Sequence, residues 1–215
     1  MTSDAASPTA LALLAVGMLT PLATAGALLL TDAEWQAPLT IGGLVLLWGC
    51  AVGVVMALRR RPGIRFVKSP LMTRGDLGIA VLAGIGGALL VPLLSLGIAT
   101  LLGETGTAEA AGSAPLLLLI AGVVTAAVTE EVLFRAVPME LMLRRRMPRW
   151  LVVLLPWAAF VVTHLGNWNL AHVVGVVAPL GLIMGLLYLW RRNLLVVIIA
   201  HLLIDAPLIV LALAG

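Results

Sequence analysis

Long apolar runs, separated by short polar or basic stretches, dominate the chain. A run of about 20 apolar residues is long enough to cross the roughly 30 Å hydrocarbon core of a bilayer. Seven such runs predict membrane-spanning helices over residues 9–30, 38–58, 76–102, 115–143, 150–165, 170–190 and 194–214. The fifth run is the shortest and contains Pro156. The pattern therefore predicts an all-α, polytopic transmembrane helical bundle of about seven spans.

The charges between the runs predict how the bundle is oriented. Twelve of the thirteen basic residues fall in the segments 59–75, 144–149 and 191–193, which follow the second, fourth and sixth runs. The segments at the other end carry Asp32, Glu34, Glu104 and Glu109 and no basic residue. Because basic loops remain in the cytoplasm, the N-terminus is expected inside and the C-terminus outside.

Composition narrows the class of protein. The chain is 62% hydrophobic and 11% charged, with a mean hydropathy of +1.15, whereas soluble domains are about 25% charged. The net charge of +3 comes without an aromatic-rich basic surface, so no nucleic-acid partner is expected. Cys50 is the single cysteine, which excludes an internal disulfide. The preference for Arg over Lys, with abundant Ala, Gly and Leu, is typical of GC-rich bacteria and points to a bacterial plasma membrane.

The thirteenth basic residue, Arg135, lies inside the fourth run, and other ionisable residues share the membrane with it. The fourth run also contains Glu130 and Glu131, the fifth His164, and the seventh His201 and Asp205. Each charge at mid-membrane costs about 2.5–3.5 kcal/mol on insertion scales, so such residues are functional candidates.

Helical spacing divides these residues into groups. Glu131 and Arg135 are four residues apart and are predicted to form a structural ion pair. Glu130 is turned about 100° away and is expected to face His164, with which it could share a water molecule. His201 and Asp205 are also four residues apart. At the α-helical rise, Glu130 lies about 21 Å from the basic end and His201 nearer 10 Å, so a kink or tilt is needed to bring them level.

Three motifs lie on successive spans over about residues 115–210: Glu-Glu-x-x-x-Arg, Phe-x-x-x-His and His-x-x-x-Asp. Together they resemble the CPBP family of intramembrane proteases (CAAX proteases and bacteriocin-processing enzymes, also called the ABI family). This family includes the type II CAAX prenyl endopeptidases. The resemblance implies that Glu130 activates water with His164, and that His201 and Asp205 stabilise the transition state. Asp205 departs from the best-known CAAX-cleaving members, which have Asn at this position.

The leading hypothesis is a glutamate-dependent intramembrane endopeptidase that needs no cofactor and cleaves a membrane-associated peptide, prenylated or near its C-terminus. One alternative is a zinc-dependent protease in which Glu130, His164 and His201 hold the metal. Another is a non-proteolytic partner, such as a bacteriocin self-immunity or scaffold protein, or a small transporter. The sequence discriminates against the transporter only through the absence of an internal repeat.

Three regions of one membrane domain are expected: two spans and a basic loop over 1–75, a third span and outer loop over 76–114, and a catalytic four-span core over 115–215. His172 is expected at the mouth of the bundle. The pairs Gly49–Gly53 and Gly181–Gly185 are expected to pack helices together. The presence of arginines in the basic loops is explained by the orientation of the chain in the membrane, and no further role is predicted for them.

Overall fold

The computed structural model describes residues 8–59, 66, 71–103, 115–165 and 168–214. These residues form seven helices: α1 (Pro8–Leu29), α2 (Ala33–Leu58), α3 (Arg74–Leu102), α4 (Leu116–Arg144), α5 (Arg149–His164), α6 (Leu170–Arg191) and α7 (Leu194–Ala214). Six of them are long and apolar enough to cross a membrane, and α5 has only 16 residues. The predicted all-α membrane bundle is therefore confirmed. The fifth predicted span is present as a short apolar helix, and that it crosses the membrane stays a prediction.

Helix ends follow local chemistry. Thr73 caps α3 by accepting a hydrogen bond from the Asp76 amide, and the Asp76 carboxylate accepts one from the Thr73 amide. This reciprocal capping box satisfies two backbone donors that the helix itself leaves free. Gly103 ends α3 in the left-handed conformation, at φ 67°, where glycine meets no steric penalty. Most of the basic loop 59–75 and the outer segment 104–114 lie outside the described residues.

α4 occupies the centre of the bundle. Leu133, Phe134, Ala136 and Val137 of α4 are completely buried. Many leucines of α1, α2 and α3 are exposed instead, as expected of helix faces that contact lipid. The predicted packing role of Gly181 and Gly185 agrees with the structure, because a side chain at either position would press against α5. Gly53 lies close to Leu13 in the same way. A side chain at Gly49 would meet no described atom within 4 Å, so the predicted packing role of Gly49 is wrong.

Two of the spans contain π-helical segments, which the α-helical spacing used for the sequence does not anticipate. Within α4 the π-helix runs over Ala126–Ala136, and within α6 over Val173–Val177. After one intervening residue, each is followed by a proline, Pro138 or Pro179. Proline lacks an amide hydrogen and crowds the carbonyl four residues earlier, so the wider hydrogen-bonded turn ahead of it relieves the clash. Such segments are rare and are frequent at functional sites.

The ends of α3, α4 and α6 that border the basic segments are joined by buried ion pairs. Glu140 accepts hydrogen bonds from Tyr188 at 3.1 Å and from Nε of Arg192 at 2.6 Å. Asp76 accepts one from Nε of Arg191 at 2.9 Å. These contacts place the three basic segments at one end of the bundle, hereafter the basic end. Arg191 and Arg192 therefore also stabilise the bundle, in addition to the role in membrane orientation that the sequence predicts for them.

Candidate active site

Glu131 is the centre of a buried polar cluster between α4 and α7. One of its oxygens, Oε1, accepts a hydrogen bond from Nη1 of Arg135 at 3.1 Å, as the spacing predicts. The same oxygen lies 2.8 Å from Nδ1 of His201. All three side chains are almost completely buried. The cluster therefore supplies charge compensation that a carboxylate in a bundle interior requires.

His201 lies between two carboxylates. Its Nδ1 faces Glu131, and its Nε2 lies 3.4 Å from Oδ2 of Asp205, one turn further along α7. Carboxylate oxygens only accept hydrogen bonds, so this arrangement favours an imidazole that carries hydrogen on both nitrogens. The predicted contact between His201 and Asp205 is present, and it leaves a cationic ring at the wall of a cavity.

Glu130 points away from this cluster. Its Oε1 lies 3.7 Å from Nε2 of His164 on α5, and both side chains are partly accessible. His164 uses its other nitrogen, Nδ1, to donate to the carbonyl oxygen of Phe160 at 2.7 Å. The distance of 3.7 Å exceeds a direct hydrogen bond, and a water molecule beside the two groups could bond to both.

Phe160 links the two groups through its ring and its backbone. The Arg135 guanidinium carbon lies 4.1 Å from the centre of the Phe160 ring, on its face, and the His164 ring lies 4.4 Å from it. The first contact has cation–π geometry, which holds the arginine flat against the ring. Phe160 in turn packs on Gly181 of α6, where no larger residue fits beside it. The local fold of α5 and α6 therefore sets the position of His164.

A cavity of about 490 Å³ gives access to these groups. Glu130, His164, His201 and Asp205 line it together with His172. The rest of its wall is mainly apolar and comes from α3, α4, α6 and α7. Glu131 and Arg135 do not line it and lie behind His201. His172 stacks on Trp168, at 4.2 Å between ring centres, in agreement with its predicted place at the mouth.

Most of the predicted site residues therefore come together, with three differences from the sequence analysis. The Glu131–His201 contact was missed, since it joins residues 70 positions apart. Phe160 appeared only as part of a motif, without its contact to Arg135. Glu140 was overlooked although it lies in the fourth apolar run, where a buried acid is a signal.

Comparison with known proteins finds a family match in the C-terminal part of the chain. Residues 112–207 match the family model described as Type II CAAX prenyl endopeptidase Rce1-like. No curated protein and no solved structure matches the chain. The matched residues contain α4 to α6 and most of α7, and with them every group of the cluster and the Glu130–His164 pair. The family implies protease activity in a membrane-embedded protein, in agreement with the resemblance seen in the motifs. Over residues 112–207, the chain is therefore similar to the Rce1-like family of type II CAAX prenyl endopeptidases.

Proposed function

We propose that this protein is a glutamate-dependent intramembrane endopeptidase in which Glu130 is the general base. The observation that carries the proposal is the separation of the two adjacent glutamates. Glu131 is held by Arg135 and His201, whereas Glu130 faces a histidine across 3.7 Å at the wall of a cavity. A carboxylate that no arginine holds, beside a site for water, can accept a proton.

The reaction follows from these positions. Glu130 removes a proton from a water molecule that His164 orients, and the resulting hydroxide attacks the carbonyl carbon of the scissile peptide bond. The His201 imidazolium turns its Nε2–H from Asp205, which lies 3.4 Å away, to the oxyanion of the tetrahedral intermediate, while Nδ1–H stays on Glu131. Glu130 then returns its proton to the amide nitrogen, the C–N bond breaks, and a carboxylic acid and an amine are released.

The remaining charges position His201. Glu131 holds Nδ1, while Asp205 faces Nε2 and favours the cationic ring. Arg135 neutralises Glu131 so that the cluster does not add a second free base next to Glu130. Asp205 as a carboxylate cannot itself donate to an oxyanion, so its role here is to orient His201.

The zinc-dependent version fits the donor set poorly. A histidine binds zinc through an unprotonated nitrogen, and both His201 nitrogens face carboxylates. Nδ1 of His164 is engaged with a backbone carbonyl, which leaves only Nε2. Among the described side chains, no group of three His, Cys, Asp or Glu is placed to hold a metal ion. We therefore favour a mechanism that uses no metal.

We further propose a membrane-associated peptide as the substrate, with a bacterial plasma membrane as the location. A CAAX-type prenylated C-terminus is one such substrate and follows from the family description alone. A non-proteolytic scaffold or immunity role would not require an open cavity beside Glu130 and His164, and the cavity therefore favours the enzyme.

Comparative analysis of membrane peptides tests the proposal. Cells that express the wild type should contain cleavage products that are missing from cells with Glu130→Gln, which keeps the size of the side chain and removes the base. Asp32→Asn is the matched control, since Asp32 is exposed and lies in a loop between α1 and α2. Identical peptide profiles for the wild type and a correctly inserted Glu130→Gln would disprove the proposal.

A further inference from the structure

The cavity approaches one end of the bundle only. Its lining includes Leu119, three residues after the start of α4, and His172, two residues after the start of α6. Leu211, three residues before the end of α7, and Trp168, between α5 and α6, also line it. All four belong to the end of the bundle opposite the basic end. From there the described lining extends inward to Phe160, Leu180 and His201 and no further.

The basic end is closed by packing and by ion pairs. On the parts of α4 and α6 that lead to that end, the side chains of Phe134, Met139 and Met184 are fully buried. Beyond them, Glu140 is buried with Tyr188 and Arg192 as partners. A path for water or peptide between α4 and α6 at this end would have to break the contacts that Glu140 makes with Tyr188 and Arg192.

The charge distribution indicates which side of the membrane the open end faces. Twelve basic residues lie in the segments of the closed end, and the opposite segments contain none. Under the positive-inside rule the closed end is cytoplasmic. We propose that the active site is reached from the extracytoplasmic half of the bilayer, and that its substrates are apolar peptide segments presented from the outer leaflet. This inference rests on the proposed function for its substrate, and on the cavity together with the positions of the basic residues for its direction.

The dimensions of the cavity set the form of the substrate. Glu130 lies 14 residues from Leu116 and 14 from Arg144, so it stands midway along α4. Fourteen residues at the helical rise correspond to about 21 Å, and the π-helical stretch shortens that distance. An extended peptide advances about 3.3 Å per residue, so about five or six residues are needed to reach Glu130 from the open end. Because most of the wall is apolar, those residues are apolar too.

Cysteine accessibility tests the direction. Cys50, the one native cysteine, is buried and is first replaced in Cys50→Ala. Ala126→Cys then places a thiol in the cavity, four residues before Glu130, and Arg145→Cys places one in the turn at the basic end. The probe is a negatively charged, membrane-impermeant thiosulfonate, applied to intact spheroplasts and to inside-out vesicles.

The expected result is that Ala126→Cys reacts in spheroplasts at least about tenfold faster than in inside-out vesicles, and that Arg145→Cys shows the reverse preference. Faster reaction of Ala126→Cys in inside-out vesicles, equal rates on both sides, or no reaction in spheroplasts would each overturn the inference. Labelling does not depend on catalysis, so the two proposals fail separately. Labelling from outside without any peptide cleavage dependent on Glu130 would refute only the protease.

Discussion

Nδ1 of His201 lies 2.8 Å from Oε1 of Glu131, the same oxygen that binds Arg135 at 3.1 Å. This contact joins α4 to α7 across 70 residues of sequence. It makes Glu131 more than the partner of an ion pair within one helix, because the carboxylate now holds a residue of the cavity wall. A single buried oxygen therefore couples the stability of the bundle to the position of the proposed oxyanion donor.

Glu131→Gln should destabilise the protein by about 3–5 kcal/mol, the usual cost of removing one partner from a buried ion pair. Arg135 then loses its counter-charge and His201 loses its anionic acceptor. Thermal unfolding in detergent measures the loss. The double variant with Arg135→Met should lose less than the sum of the two single variants, because no uncompensated charge remains. Strict additivity would contradict this coupling.

The sequence predicts the helices well because length and hydropathy alone determine them. The predicted fourth and seventh runs, 115–143 and 194–214, differ from α4 (Leu116–Arg144) and α7 (Leu194–Ala214) by no more than one residue at either end. The contacts Glu131–Arg135 and His201–Asp205 were also predictable, since residues four apart share a helix face. Which end of the bundle is cytoplasmic remains a prediction from the positions of the basic residues.

Contacts between helices could not be predicted from the sequence, for a physical reason. An ideal α-helical rise placed His201 too close to the basic end to meet Glu131. The segment Ala126–Ala136 is a π-helix, which has more residues in each turn and so advances less per residue than the estimate assumed. The cluster of Glu140, Tyr188 and Arg192 was missed similarly, because a loop arginine gives no sign in the sequence of a partner about 50 residues earlier.

Substitutions at Asp205 test whether the aspartate that replaces the family's asparagine affects peptide cleavage. Asp205→Asn keeps the shape of the side chain beside Nε2 of His201, so peptide cleavage should stay within about tenfold of the wild type. Asp205→Ala leaves that nitrogen without an orienting partner, and we expect about a 100-fold loss, comparable to removal of an oxyanion-hole donor. The measurement is the rate at which products dependent on Glu130 accumulate. Equal rates for Asp205→Ala and the wild type would rule out the positioning role.

Gly181→Ala should displace Phe160 and, with it, His164. An added methyl group would come within 2.8 Å of the Phe160 ring, which is itself buried against Arg135. Overpacking of this kind costs about 1–3 kcal/mol, and we also expect at least about a tenfold loss of cleavage. Gly122→Ala is the matched control, because no atom of a neighbouring helix lies within 4 Å of the added group. It should stabilise α4 by about 0.5–1 kcal/mol. Comparable losses of activity in both variants would argue against a specific role for the Phe160 contact.

Arg192→Gln should weaken the closed end of the bundle. Glu140 is buried, and Arg192 and Tyr188 are the partners that the structure gives its carboxylate. The loss should be up to about 3 kcal/mol, at the lower limit for a buried pair, because Arg192 is itself partly exposed. Arg145→Gln, an exposed arginine at the same end, should change the unfolding temperature little. If the two variants unfold at the same temperature, the Glu140 contact contributes nothing to stability.

Removal of metal should leave cleavage unchanged. His201 has a carboxylate at each ring nitrogen, and an imidazolium held in this way has no lone pair to offer a zinc ion. Incubation of purified, active protein with 1,10-phenanthroline should therefore preserve its rate of cleavage, and elemental analysis should find well below one zinc per chain. Inhibition that is reversed by added zinc would instead require His201 to release both carboxylates and bind the metal. Elemental analysis of Glu130→Gln adds a second test, because stoichiometric zinc in that variant would show that a metal site exists apart from the water-activating carboxylate.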